Sequence, residues 1–109
     1  MENEMKTCME ACMEACCACM IACEACATAD IKDGNRVDCA LACRDCADIC
    51  ALCARMCARD STFCKDFCKL CAAVCTACAV ECDKHAMHHE TCKACAEACR
   101  KCAEACAAM

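Results

Sequence analysis

Twenty-four of the 109 residues are cysteine, and most of them recur at alternating steps of four and three. Cys39, Cys43, Cys46, Cys50, Cys53 and Cys57 form one run with a 4-3-4-3-4 spacing. Cys64, Cys68, Cys71, Cys75, Cys78 and Cys82 repeat it. Cys92, Cys95, Cys99, Cys102 and Cys106 form a third run, and Cys12, Cys16, Cys19, Cys23 and Cys26 a fourth. Steps of three and four keep side chains on one face of a helix, the stripe that bundles turn inward. Here that stripe carries thiols where Leu and Ile would be expected. Cys8 lies at its edge, and Cys17 falls off it, toward solvent or a subunit contact.

The rest of the composition supports helix and little else. Proline is absent, Gly34 is the one glycine, and Ala and charged residues fill much of the remainder. Helix propensity is high and strand propensity low. With two Phe and no Trp or Tyr, a conventional apolar core cannot be assembled. Cysteine acts as a small hydrophobe but buries less area than Leu. The metal-free fold is therefore expected to lean on helix propensity and oligomerisation, with metal as an added stabiliser. The formal net charge of −5, without a basic patch interleaved with aromatics, argues against nucleic acid and suits a cation. The N-terminal residues lack a basic start followed by an apolar run, so no signal peptide is expected. The longest uncharged stretch, residues 15–23, is too short to span a membrane. A soluble, cytoplasmic protein is the expectation, and a reducing compartment keeps thiols free.

Four helices and three connections follow from the pattern. The first is predicted over residues 5–29 and ends at the Asp33-Gly34-Asn35 turn, where glycine supplies a positive φ. Asp38 is the candidate cap of a second helix that runs to residue 58, and Asp60 or Ser61 that of a third over 63–85. The break between 83 and 90 has neither Gly nor Pro, and the fourth helix ends near residue 109. Short connections imply antiparallel neighbours, hence an all-α, up-down-up-down four-helix bundle with a cysteine-lined core, one domain over 1–109. Extending the stripe collects Met5, Met9 and Met109 at one end, near Cys57, Phe63 and Cys64. His85, His88 and His89 gather at the other, beside the Gly34 turn. Met13, Met20, Met56 and Met87 read as packing residues. Ile49, Phe67 and Val74 widen the core, whereas Leu41, Leu52, Phe63 and Leu70 lie further out and suggest a subunit interface.

A CxxxC pair places two sulfurs one turn apart on one face, and the intervening CxxC step brings the next pair within bridging distance. Thiolate-only surroundings favour Cu(I), zinc and iron–sulfur clusters. Zinc and clusters want sets of about four ligands, usually presented as separate knuckles. A continuous ladder fits low-coordinate Cu(I), on the order of 12 to 24 ions per chain if sulfurs are shared. The expected metal ligands are the stripe cysteines together with Cys8, His85, His88 and His89, the histidines marking where copper is first captured. No nucleophile, base and oxyanion set is visible, so an enzyme is not expected. The alternatives are a Zn(II)/Cd(II) buffer of metallothionein type and a redox-responsive thiol/disulfide structural protein.

The ladders on four helices, with His85-x-x-His88-His89-x-x-Cys92-x-x-Cys95-Ala96-x-x-Cys99-x-x-Cys102-Ala103-x-x-Cys106, resemble the four-helix-bundle bacterial copper storage proteins across the whole chain. The missing leader is similar to their cytosolic branch. The resemblance implies multiple Cu(I) ions held by cysteine pairs inside the bundle and a histidine mouth falling on His85, His88 and His89. It also implies a homo-oligomer, commonly a tetramer. A copper chaperone or a low-molecular-weight thiol is the expected donor.

Overall fold

The computed structural model describes the backbone of residues 2–109 and the side chains from residue 7 onward. Four helices occupy it: α1 (Glu2–Asp33), α2 (Val37–Ala58), α3 (Cys64–Asp83) and α4 (Glu90–Ala107). Each packs against its two neighbours in a ring, α1 on α2 and α4, α3 on α2 and α4. Sulfur contacts set the directions. Cys12, early in α1, meets Cys106, late in α4, and Cys26, late in α1, meets both Cys39 and Cys92. Neighbouring helices are therefore antiparallel, and the result is an up-down-up-down four-helix bundle 46 Å long and under 20 Å across.

The first helix is longer than predicted at both ends, because nothing breaks it before Gly34. That glycine takes φ +82 and donates its N–H to the Asp30 carbonyl at 2.9 Å, closing the last turn. The extra turn carries Asp30 into the core. By length and composition Thr7–Asp33 is apolar enough to cross a membrane, which the uncharged run alone did not suggest. Its cysteine stripe is taken up in packing against the other helices.

The other boundaries correct the predicted caps. Arg36, not Asp38, occupies the N-cap of α2, without a side-chain cap bond; Asp38 sits in the first turn, where its charge complements the helix dipole. Asp60 closes α2 and does not open α3. It adopts φ 51, its N–H reaches the Cys57 carbonyl and the Ser61 N–H reaches the Met56 carbonyl, the pair of bonds that makes a Schellman cap. Ser61 Oγ then accepts the Phe63 N–H at 3.1 Å, just before α3 begins. The third helix stops at Asp83, and residues 84–88 form successive turns that lead into α4.

Sulfur fills the centre. Twenty-two cysteines are buried, joined by small Ala27, Ala47, Ala79 and Ala96. Met13, Met20, Ile49, Val74 and Met109 pack on the outside of that column. Met56 is buried, as a packing methionine should be, whereas Met87 is 92 % exposed and lies outside the core. Leu41, Phe63 and Leu70 are exposed and Leu52 is half-buried. Side-chain placement of Met5 lies outside the described residues.

Candidate metal centre

Each cysteine run presents one column of sulfurs to the bundle axis, and the four columns interlock. Within a helix, the resolved CxxxC contacts place sulfurs at 3.9–4.0 Å: Cys19–Cys23, Cys46–Cys50, Cys64–Cys68, Cys71–Cys75, Cys95–Cys99 and Cys102–Cys106. Between helices the spacing is as close or closer, 3.4 Å for Cys12–Cys106 and 3.6 Å for Cys19–Cys99, Cys46–Cys75 and Cys26–Cys92. A metal–thiolate bond is roughly 2.3 Å, so two sulfurs in line on one ion stand about 4.6 Å apart. Small rotations of thiols already in place suffice to admit ions.

The thiols also form four-sulfur groups in which every sulfur lies within 4.8 Å of the others. Cys19, Cys50, Cys75 and Cys102 form one with a member from each helix; Cys19, Cys23, Cys46 and Cys99 form another. Further down the column come Cys16, Cys71, Cys102 and Cys106, then Cys12, Cys16, Cys53 and Cys106, then Cys12, Cys53, Cys57 and Cys68. Neighbouring groups share members: Cys19, Cys102, Cys16, Cys106, Cys12 and Cys53 each belong to two. Isolated tetrahedral ions, each with four thiolates to itself, could not occupy adjacent groups at once. Ions that accept few sulfurs and tolerate bridging can.

Burial holds the proton on thiols near both ends of this column. Burial first, then a bond with Cys53, pushes the Cys68 thiol from its ordinary 9.0 up to about 12. Burial and a bond with Cys26 do the same for Cys92. Cys39 and Cys57 are raised too, by burial and then by bonds with Asp30 and Cys64. Cys16 goes the other way. Its bond with Cys102 opposes ionisation, but bonds with Cys106, Cys12 and Cys50 outweigh that and bring it to about 6. A dry core raises acids, while S–H groups aimed at a thiolate lower them.

The two ends differ. At the α2–α3 turn the column finishes with Cys57 and Cys64, whose sulfurs approach to 2.8 Å. Met9 and Cys8 are half-buried there, and Met109 packs against the column. Cys17 is exposed and is not a member of the five groups named above, in line with its position off the stripe. At the other end His85 and His89 are half-buried, but His88 is exposed. Because α4 begins only at Glu90, the stripe does not run back through His88; His89 takes the inward place.

Asp30 and Arg36 were not anticipated. Asp30 is 1 % exposed and sits on the last rungs, where its carboxylate accepts the thiols of Cys26 at 3.9 Å and Cys92 at 3.8 Å. Arg36 Nε donates to Asp30 Oδ1 at 2.7 Å, and Nη1 reaches both Asp33 and, at 3.0 Å, His89 Nε2. The ion pair with Asp30 holds the guanidinium even more firmly protonated than usual. The signal was present in the rhythm: one more step of four from Cys26 reaches Asp30, and one step of three back from Cys39 reaches Arg36. At this end the thiol ladder thus meets Asp30, which Arg36 links to His89, while His85 lies at the cleft outside. An open cleft of about 360 Å³, lined in part by Arg36, Asp38, Glu81, Lys84 and His85, leads in from solvent.

A helical bundle whose core is a continuous ladder of free thiols defines a soft-metal store. The sequence matches the Copper storage protein family over residues 5–109, and the chain belongs to that family. Among solved structures it is similar to apo-Csp3, copper storage protein 3 of Bacillus subtilis, at 47 % identity over 91 % of this chain and 95 % of that one, with a TM-score of 0.83. The Cu(I)-bound form of that Bacillus protein matches at 47 % identity, 92 % and 95 % coverage and a TM-score of 0.86. A cytosolic copper storage protein of Streptomyces lividans, with five coppers, matches at 36 % identity, 97 % and 94 % coverage and a TM-score of 0.92. No curated protein sequence matches the chain.

Proposed function

We propose that this protein stores and sequesters Cu(I) in the cytosol, binding many ions per chain through thiolate pairs inside the bundle. The observation that carries the reading is the overlap of the four-sulfur groups: thiols shared between neighbours suit bridged, low-coordinate copper and not isolated tetrahedral ions. Residues 1–109 act as one storage domain. The ligands are the buried cysteines, with Cys8 at the edge, and His85, His88 and His89 act at the mouth. Copper is handed over by a chaperone or a small thiol and moves inward by exchange from sulfur to sulfur. The protein has no catalytic role.

Assembly is into a homo-oligomer, a tetramer by resemblance to the family. Ile31, Val37 and Leu41 support this, since all three are more than 60 % exposed and line one apolar groove between α1 and α2. The test is a titration of Cu(I) into reduced metal-free protein against a competing chelator, expected to saturate at about a dozen ions or more per chain. Saturation at one or two ions would exclude storage. Preferential retention of Zn(II) under Cu(I) competition would favour a zinc and cadmium buffer. Loss of most free thiols in anaerobically purified protein would favour a disulfide-based role.

A further inference from the structure

Arg36 poses a problem for a protein that takes in cations. A permanently charged guanidinium, 6 % exposed, stands at the head of the thiol ladder and occupies the polar groups nearest the mouth. Arginine has donors only, so in its 3.0 Å contact with His89 the imidazole Nε2 must be the acceptor. A neutral imidazole with an accepting Nε2 carries its proton on Nδ1. Neither nitrogen of His89 then has a free lone pair. The same guanidinium holds Asp30 Oδ1 at 2.7 Å, and that carboxylate otherwise faces thiols, those of Cys26 and Cys92 at 3.9 and 3.8 Å and that of Cys39.

We propose that Arg36 is a latch: in the metal-free protein it masks the His89 Nε2 lone pair, and copper capture at this end requires it to swing out. The proposal rests on the copper-storage reading for its cargo, but the mask itself is a property of the metal-free protein. The groups facing Arg36 provide for both positions. Asp30 and His89 hold it in; Asp33, already bonded to Nη1 and with a side chain 48 % exposed, lies outward, and Asp38 and Glu81 line the cleft beyond. Displacement replaces one positive charge by another. Copper leaves its donor thiolate for His89 Nε2, Arg36 moves toward Asp33, and Asp30 keeps a cation beside it. His89 keeps its Nδ1 proton, so this step needs neither oxidant nor base. The latch also selects, because a hard cation gains little from an imidazole nitrogen and cannot offset the guanidinium it evicts.

Two measurements test this on the metal-free protein and on loading. Reaction with diethyl pyrocarbonate, which needs a free imidazole lone pair, is read residue by residue by mass spectrometry. In the wild type His89 should react more slowly than exposed His88, and in Arg36→Lys, which cannot span Asp30 and His89 together, its rate should rise about tenfold, the factor one charge-assisted hydrogen bond is worth. The Asp30→Asn/Arg36→Gln double variant removes both buried charges together, so it serves if Arg36→Lys does not fold. Stopped-flow transfer of Cu(I) from its glutathione complex should show a faster first phase in whichever variant unmasks His89, with unchanged final capacity. Wild-type His89 reacting as fast as His88, or an unmasked variant loading no faster, overturns the latch. A wild-type capacity of one or two ions overturns storage instead, and leaves the imidazole result to be judged alone.

Discussion

Raising the pH should unfold the metal-free protein, and the structure sets the slope. Cys68 and Cys92 are held at about 12 in the folded chain against an ordinary 9.0. Below pH 9 both states carry these protons, and the folded state has its full advantage. Above pH 9 the unfolded chain releases them and the folded chain does not, so stability falls until the folded thiols ionise near 12. Each such group contributes on the order of 1 kcal/mol per pH unit, so these two alone remove several kcal/mol between pH 9 and 11, and Cys39 and Cys57 add to the loss. That is comparable with the whole stability of many small domains, about 5–15 kcal/mol. Cys16, lowered to about 6, is ionised in the folded state throughout this range; as the unfolded chain finishes ionising it, its contribution levels off and adds no slope further up. The assay is anaerobic urea unfolding of reduced protein, followed by far-ultraviolet circular dichroism at pH 8, 9, 10 and 11. A Cys68→Ala/Cys92→Ala variant should lose part of the slope, since Cys39 and Cys57 are raised as well, and copper-loaded wild type should lose it altogether, because the metal has already displaced the protons. Stability that stays level or rises between pH 9 and 11 in the metal-free wild type would refute the reasoning.

Three other outcomes are expected. Replacing His85, His88 and His89 together by alanine should slow copper loading without changing capacity, as measured by stopped flow and by endpoint titration. Cys50→Ala removes a thiol from the central group and should lower capacity by about one ion, whereas Cys17→Ala, at an exposed position off the cysteine stripe, should leave it unchanged. Asp60→Val should cost about 1–2 kcal/mol in chemical denaturation, because a β-branched residue cannot comfortably hold φ 51, while Asp60→Gly should be tolerated.

How far the sequence could be read depended on what kind of signal each feature leaves. The columns of sulfur were legible because helical periodicity alone decides which side chains share a face, and Cys17 was rightly set apart from them. Gly34 announced its turn by being the one residue suited to a positive φ there. Asp60 did not, since aspartate is as common at a helix start as it is tolerable in a left-handed cap, and only the carbonyls of Met56 and Cys57 identify which role it plays. His88 and His89 were equally good continuations of the α4 stripe, four and three residues before Cys92. Where α4 begins, a matter of a single residue, chose between them.

The chain alone, then, determined a four-helix bundle with a thiol interior, because the period of the cysteines matches the helix and the scarcity of large apolar residues leaves nothing else to bury. What the packed helices decided is which sulfurs meet across the axis and how the column is closed. Those depend on rotation and stagger between elements far apart in the chain, which local periodicity does not encode. Only in the assembled bundle does Asp30, read along the chain as one more charge near a turn, come to lie between two thiols and a guanidinium. Burial there makes its partners obligatory, since an unpaired carboxylate in a dry core is too costly to keep.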